Sequence, residues 1–208
     1  MDSKRSVAAY ILAGGQSSRM GCDKALLDFG GSPLILRIAE IVAPLAGAAV
    51  IVGPPERYSA LNLRILPDDS PGLGPLGGIS TALRETGAEW NLILGCDLPF
   101  LTSQWLAYLM DRAVQSDADA VLPYSDRGAE PLCAMYRKGC ASAIAAAVAR
   151  GVRKVTDGLA ELSIARVEPD EWKRFDAQGL LFKNLNSSKD LEEITVTLKR
   201  KYGTVARP

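Results

Sequence analysis

The sequence predicts an α/β fold of three layers, α/β/α, built on a mostly parallel sheet. Three observations carry that expectation: short apolar runs of strand length, longer stretches with helical spacing between them, and glycine-rich loops after several of the apolar runs. Residues 7–13 read as a buried first strand, and residues 33–45 as a helix with Leu34, Ile38, Ile41, Val42 and Leu45 along one face. Residues 48–52 and 63–66 read as the next two strands, and residues 76–84 as a helix. A fourth strand over 91–95 leads to a helix over 103–115, with Thr102 or Ser103 as its cap. A fifth strand spans 118–123 and a sixth 131–136, and an alanine-rich helix over 139–150 stops at Gly151. Residues 180–185 read as a last strand and residues 189–201 as a closing helix. Neither a repeat nor linker-like composition divides residues 1–208, so one domain is expected, frayed only near residues 1–4 and 203–208.

Composition limits what such a fold can do. Apolar residues make up 48% of the 208, enough for a sizeable core. Twenty-four basic residues balance 24 acidic ones, which removes the simplest case for a nucleic-acid partner. The longest uncharged stretch, residues 41–55, contains Pro44 and Gly47 and falls short of the ~20 apolar residues a membrane span needs. Residues 7–13 after Lys4 and Arg5 imitate a signal peptide only at the minimum length and lack a clean cleavage site. A cytoplasmic protein without a membrane is therefore expected. Cys22, Cys96, Cys133 and Cys140 form no C-x-x-C pair and read as reduced thiols. There is no histidine, so a Ser-His-Asp or Cys-His nucleophile and any His-ligated metal are excluded. Chemistry must use carboxylates, Lys, Arg, hydroxyls, backbone amides or a hard cation such as Mg²⁺ held by oxygen.

Parallel sheets bind ligands at the carboxyl ends of their strands, and three loops there are unusual. The first, residues 12–24, combines Gly14, Gly15 and Gly21 with Arg19 and Lys24. Its glycines let backbone N–H groups approach a phosphate, and its two cations are placed to neutralise one. The same composition also suits a flexible turn with two surface cations. It is neither a P-loop nor G-x-G-x-x-G. The second loop, residues 67–79, holds four glycines and three prolines behind Asp68 and Asp69. It reads either as a stiff connection or as the wall of a base pocket. The third places Asp97 just past a buried strand, where an aspartate caps a turn or serves as one carboxylate of a magnesium site shared with substrate phosphates.

The string Leu12-Ala13-Gly14-Gly15-Gln16-Ser17-Ser18-Arg19-Met20-Gly21-Cys22-Asp23-Lys24 is far more specific than its composition. It resembles the signature L-A-G-G-x-S-x-R-M-G-x-D-K of the molybdenum cofactor guanylyltransferase family, among the sugar-nucleotide-type nucleotidyltransferases, at every fixed position. Gly74-Pro75-Leu76-Gly77-Gly78 resembles the family segment at the guanine. Cys96-Asp97-Leu98-Pro99 resembles its C-D-x-P metal element, and Asn184-Leu185-Asn186-Ser187 its N-x-N-[ST] element. Residues 131–136 resemble the family strand that crosses towards the acceptor. The likeness spans about residues 6–191 and is dense up to Phe100.

The resemblance implies a Rossmann-like nucleotidyltransferase fold. It also implies transfer of GMP from GTP to the terminal phosphate of molybdopterin, with pyrophosphate released. It puts Mg²⁺ on Asp97, Lys24 at the α-phosphate, Arg19 at the β and γ phosphates, and backbone amides of Gly14 and Gly15 on the nucleotide. Leu12, Ala13, Asp68, Gly74, Pro75, Leu76 and Gly77 complete the nucleotide site, with Asp69 one register away from Asp68. Asn184 and Asn186 fall on the acceptor side, and Arg153 and Lys154 are either pterin-phosphate contacts or a solvated helix start. Transient contact with molybdoenzymes or their chaperones goes with such a product. Three rivals stay open: a cytidylyltransferase acting on the same pterin with CTP, a sugar-phosphate nucleotidyltransferase, and a non-catalytic nucleotide sensor or cofactor chaperone. Lys199-Arg200-Lys201 reads as a complement to a helix dipole rather than a docking site.

Overall fold

Leu12 and Gly95, the last residues of two strands far apart in the chain, lie side by side in one sheet, and the architecture follows from how the chain reaches that pairing. The structure is a computed structural model and describes residues 6–14, 23–29 and 31–185. Strand β1 (Val7–Leu12) leads through a 3₁₀ turn (Lys24–Leu26) to helix α1 (Leu34–Ala46). Leu34, Ile35, Ile38, Ala39 and Val42 bury one face of α1, and Gly47, in the left-handed region at φ 75°, ends it. Strand β2 (Val50–Val52), the one-turn helix α2 (Pro55–Tyr58) and strand β3 (Arg64–Leu66) extend the sheet outward from β1. Helix α3 (Pro75–Glu85) then carries the chain back, and β4 (Trp90–Gly95) pairs with the free edge of β1. Thr102 caps α4 (Ser103–Val114) by accepting from the Trp105 amide.

Strand β5 (Ala120–Ser125) turns into the short β6 (Gly128–Ala129), and the chain returns as β7 (Cys133–Arg137). β7 lies between β4 and β5 and is antiparallel to both. Helices α5 (Ala141–Ala149) and α6 (Val155–Gly158) follow, then strand β8 (Ile164–Val167) parallel to β5, and α7 (Pro169–Trp172). The resulting strand order is β3-β2-β1-β4-β7-β5-β6, with β8 on β5. The sheet is mostly parallel, as expected, and β7 is the long strand that breaks the pattern. Two apolar clusters, one on each sheet face, complete the three layers. Leu34, Ile38, Trp105, Leu106 and Phe182 belong to one cluster, and Leu76, Ile79, Leu83, Tyr136 and Ile144 to the other.

The expected strands and helices up to residue 150 are present with end shifts of one or two residues. Residues 180–185 are not a strand. Leu181, Phe182 and Leu185 are buried there as a strand's residues would be. Their amides find other acceptors, however: the Asp176 carboxylate takes those of Leu180 and Leu181, and the Asp97 carbonyl takes that of Leu185. The expected closing helix over 189–201, with Lys199, Arg200 and Lys201, lies outside the described residues. Among the described residues no helix is long and apolar enough to cross a membrane.

Two consequences can be measured. A Cβ on Gly53 would fall 1.9 Å from the Ala13 carbonyl oxygen, whereas one on the exposed Gly87 meets nothing within 4 Å. Gly53→Ala should lose about 1–3 kcal/mol in urea unfolding, and Gly87→Ala should stay within about 0.5 kcal/mol. Asp119 accepts from the amide and hydroxyl of Ser163 at 2.9 and 2.7 Å, which holds its carboxyl below the usual range. Because the folded state lowers this pKa, the stabilisation is full above the ordinary aspartate value and disappears as pH falls through the folded one. Melting curves between pH 6 and 3 should therefore fall less steeply for Asp119→Asn than for wild type.

Candidate active site

Because the chain builds β2 and β3 on one side of β1 and returns to place β4 on the other, the carboxyl ends of β1 and β4 open a crevice. Three loops meet there through main-chain bonds. The Ala13 amide donates to Val52, the Cys96 amide to Leu12, and the Gly95 amide to Leu132, at 2.8, 3.2 and 2.8 Å. Gly14 adopts φ 135°, and a Cβ there would press on Pro54 at 2.9 Å, so the first loop leaves β1 against the end of β2. Leu12 packs over Gly78 in α3, which joins the first loop to the second.

Lys24 rides on a turn that Asp23 secures. One Asp23 oxygen accepts from the Ala25 amide at 3.0 Å, and the other accepts from the hydroxyl of the buried Tyr58 at 2.8 Å. Arg57 stands 3.7 Å from that second oxygen. Asp97 follows β4 by two residues, and a Cβ at Gly95 would meet its Oδ1 at 2.9 Å, so the carboxylate folds back over the strand end. Burial pushes the Asp97 carboxyl up, and Lys24 and Arg127 act against that. The neighbouring Cys96 thiol is pushed far up by burial and by the Asp97 charge, which makes it inert packing rather than a nucleophile.

The second loop is fixed by its own aspartates. Asp68 Oδ1 accepts from the Ser70 amide at 3.0 Å and from the Thr81 hydroxyl at 3.2 Å. Asp69 pairs with Arg84 on the exposed flank of α3. Asp68, which faces inward, is thus the better placed of the two adjacent acids. Gly74, at φ 71°, and Pro75 are exposed at the start of α3, whereas Leu76 and Gly77 are buried. The Leu76 side chain reaches positions 2.6–2.7 Å from where a Gly158 Cβ would stand, so Leu76 offers a ligand only its main chain.

On the far side of Asp97 lies a cleft of about 280 Å³, lined by Leu98, Glu130, Leu132, Lys154, Thr156 and Asn184 among others. Lys154 is largely exposed on its rim, 3.7 Å from Asp157, while the Arg153 carbonyl faces Gly74. Asn184 carries a buried Oδ1 with no hydrogen-bond partner among the described residues, and the next residue, Leu185, donates its amide to the Asp97 carbonyl at 2.9 Å. The structure therefore brings Leu12, Ala13, Gly14, Lys24, Asp97 and Asn184 around one crevice, with the second loop joined through Leu12 and Gly78. Gly15, Arg19 and Asn186 lie outside the described residues. Glu130 and the Asp23–Tyr58 anchor were not read from the sequence. A tyrosine 35 residues from its partner gives no sequence signal, and Glu130 sits in an unremarkable turn.

Comparison with known proteins agrees with this geometry. The MobA-like NTP transferase domain model matches residues 9–164. A probable molybdenum cofactor guanylyltransferase of Nostoc sp. is 40% identical over 167 residues, covering 76% of this chain and 79% of the relative. The protein of that name from Pelotomaculum thermopropionicum is 33% identical, over 89% of this chain and 90% of the relative. Molybdopterin-guanine dinucleotide biosynthesis protein A of Archaeoglobus fulgidus superposes with a TM-score of 0.82 at 26% identity, covering 93% and 99% of the two chains. The 2-C-methyl-D-erythritol 4-phosphate cytidylyltransferase of Thermus thermophilus shares the fold, with a TM-score of 0.69 at 17% identity, over 93% and 99%. With a family match over residues 9–164 and relatives at up to 40% identity among those compared, the chain belongs to the MobA-like family of nucleotidyltransferases.

Proposed function

We propose that this chain is a single-domain molybdenum cofactor guanylyltransferase of the cytoplasm, where GTP is available. The observation that carries the reading is the convergence of Lys24 and Asp97 on the crevice between β1 and β4. An oxygen of the molybdopterin terminal phosphate attacks the α-phosphorus of GTP. The new P–O bond forms as the bond to the β-phosphate bridging oxygen breaks, and pyrophosphate leaves with that electron pair. A phosphate monoester is already a nucleophile, so the reaction asks for position and charge rather than a protein base. That suits a chain without histidine.

Lys24 stabilises the charge on the α-phosphate, and Arg19 the charge on the β and γ phosphates. Amides of Gly14 and Gly15 orient the triphosphate. The segment Gly74-Pro75-Leu76-Gly77 reads guanine through its main chain, with Asp68 shaping its entry. Asn184 and Asn186 would serve the acceptor. Mg²⁺ fits this site: Asp97 is a carboxylate whose charge is penalised by burial. Among the described residues no group of three acidic or thiol ligands forms a full protein cage, so Asp97 would share the ion with phosphate oxygens and water. When bound, the ion supplies charge neutralisation at the phosphates. Transient contact with molybdoenzymes or their chaperones would follow from the need to deliver the product.

Thermal shift measures the nucleotide arm. With Mg²⁺, GTP at 100 times its Kd should stabilise by ~2.7 kcal/mol, a rise of roughly 5–10 °C for this size. CTP, ATP and UTP should leave the melting temperature unchanged. A rise with CTP instead would transfer the reading to the cytidylyl enzyme. Pyrophosphate release tests the chemistry: Lys24→Ala and Asp97→Asn should each lose about 10²–10³ in kcat. Near wild-type turnover in either variant would sink the mechanism.

A further inference from the structure

The cleft beyond Asp97 contains a carboxylate that the mechanism above leaves unused. Glu130 follows β6, and its main chain is pinned at both ends. Its amide donates to the Pro123 carbonyl at 2.9 Å, and its carbonyl accepts from Cys133 at 3.1 Å. The side chain is only 16% exposed. Oε1 accepts from the Ser125 hydroxyl at 2.5 Å and stands 3.7 Å from the Arg127 guanidinium. That guanidinium is itself turned onto the Phe182 carbonyl. Among the described residues Oε2 has no partner. Burial raises the Glu130 carboxyl, and the Asp97 charge across the cleft adds to the rise.

A second carboxylate is costly in a site whose substrates carry phosphate, because like charges disfavour one another. Its position is sensible if the part of the substrate that reaches it is uncharged and rich in donors. The same cleft is lined by Asn184, whose Oδ1 is buried with no hydrogen-bond partner among the described residues. Glu130 and Asn184 thus line one cavity, and among the described residues neither Oε2 of the first nor Oδ1 of the second has a hydrogen-bond partner. A buried acceptor without a donor carries a desolvation cost that a ligand can remove.

We infer that Glu130 is an acceptor-recognition residue that, with Asn184, binds the N–H edge of a 2-amino-4-oxopyrimidine ring. That edge presents a ring N–H and an exocyclic NH₂ side by side, a match for the two oxygens of a carboxylate. Sugar phosphates lack this edge, so the same residue would select pterin acceptors over them. The inference rests on the proposed guanylyltransferase reading, and it adds a specificity determinant on the acceptor side.

The test uses the full chain with Mg²⁺, GTP and molybdopterin. Glu130→Gln keeps the size of the side chain and its contact with Ser125, but replaces an acceptor by a donor and removes the charge. The expected result is a 10–100-fold rise in KM for molybdopterin, corresponding to about 1.5–3 kcal/mol for a charged hydrogen bond. The kcat should change less than about threefold and the GTP thermal shift should stay at the wild-type value. Glu130→Asp should give an intermediate KM, which keeps the test valid if the glutamine variant folds poorly. Quenching of 6-hydroxymethylpterin fluorescence by the GTP-loaded protein gives a readout without turnover, and it should weaken in both variants. Wild-type KM and wild-type pterin quenching in Glu130→Gln would overturn the inference. So would an unchanged KM accompanied by a higher Mg²⁺ requirement, which would make Glu130 a metal ligand. Absence of pyrophosphate release from the wild type would instead refute the functional reading itself.

Discussion

Everything at this site depends on the register of β1 against β4. Leu12 lies opposite Gly95, and the Cys96 amide continues the ladder one residue further onto Leu12. A one-residue slip would turn every side chain of β4 to the other face of the sheet. The sequence allows no such slip, because all six residues of β4 are buried and its apolar side chains divide between two different cores. Leu92 and Leu94 point into one core and Ile93 into the other. The glycine at the end of that strand then leaves room for the Asp97 carboxylate to fold back beside the first loop. Packing forces set by apolar side chains thus determine where a charged group ends up.

The charges themselves are held in a compromise. Burial alone would favour the neutral form of Asp97, and the nearby Lys24 field counters it. Lys24 could not be placed by its side chain alone, since a long lysine on a free loop samples many positions. Lys24 therefore depends on Asp23, which the Tyr58 hydroxyl and the Ala25 amide hold from two directions. Tyr58 is fully buried and packs into one of the two cores, so the anchor reaches down into the core. The cleft beyond Asp97 uses the same logic through the main chain, with the Leu185 amide fastened to the Asp97 carbonyl.

The sequence was most readable where burial and hydrogen bonding obey one periodicity. β1, α1, β4 and α4 are long, and their apolar spacing matches their geometry, so their positions could be read directly. Residues 180–185 show the opposite case, because Asp176 supplies an acceptor that the apolar pattern does not reveal and a strap takes the place of a strand. β8 and the four-residue helices α2, α6 and α7 are too short for any period to emerge and owe their form to tertiary contacts. The antiparallel β7 was readable as a strand but not as an insertion between β4 and β5, since pairing order is not written in local pattern. The motif loops were legible as chemistry because glycine, lysine and aspartate sit at fixed spacings there. Glu130 was not, because its meaning comes only from the partners that the β5–β6 turn brings to it.

The absence of histidine can now be given a structural meaning. When the nucleophile arrives already charged, no proton has to be removed, and a side chain with a near-neutral pKa has nothing to add. The protein must instead hold two anionic substrates at one point, in line, against their mutual repulsion. The architecture answers with bonds that fasten each loop to the fold: Asp23 to Tyr58, Asp68 to Thr81, and the amide of residue 185 to residue 97. Each bridges residues at least 13 positions apart in the chain. Rate then depends on how stiffly these ties fix the loops, because a misplacement of about 1 Å can cost ~10²-fold in such a reaction. On the proposed reading, residues that never touch a substrate therefore count for as much as Lys24 and Asp97.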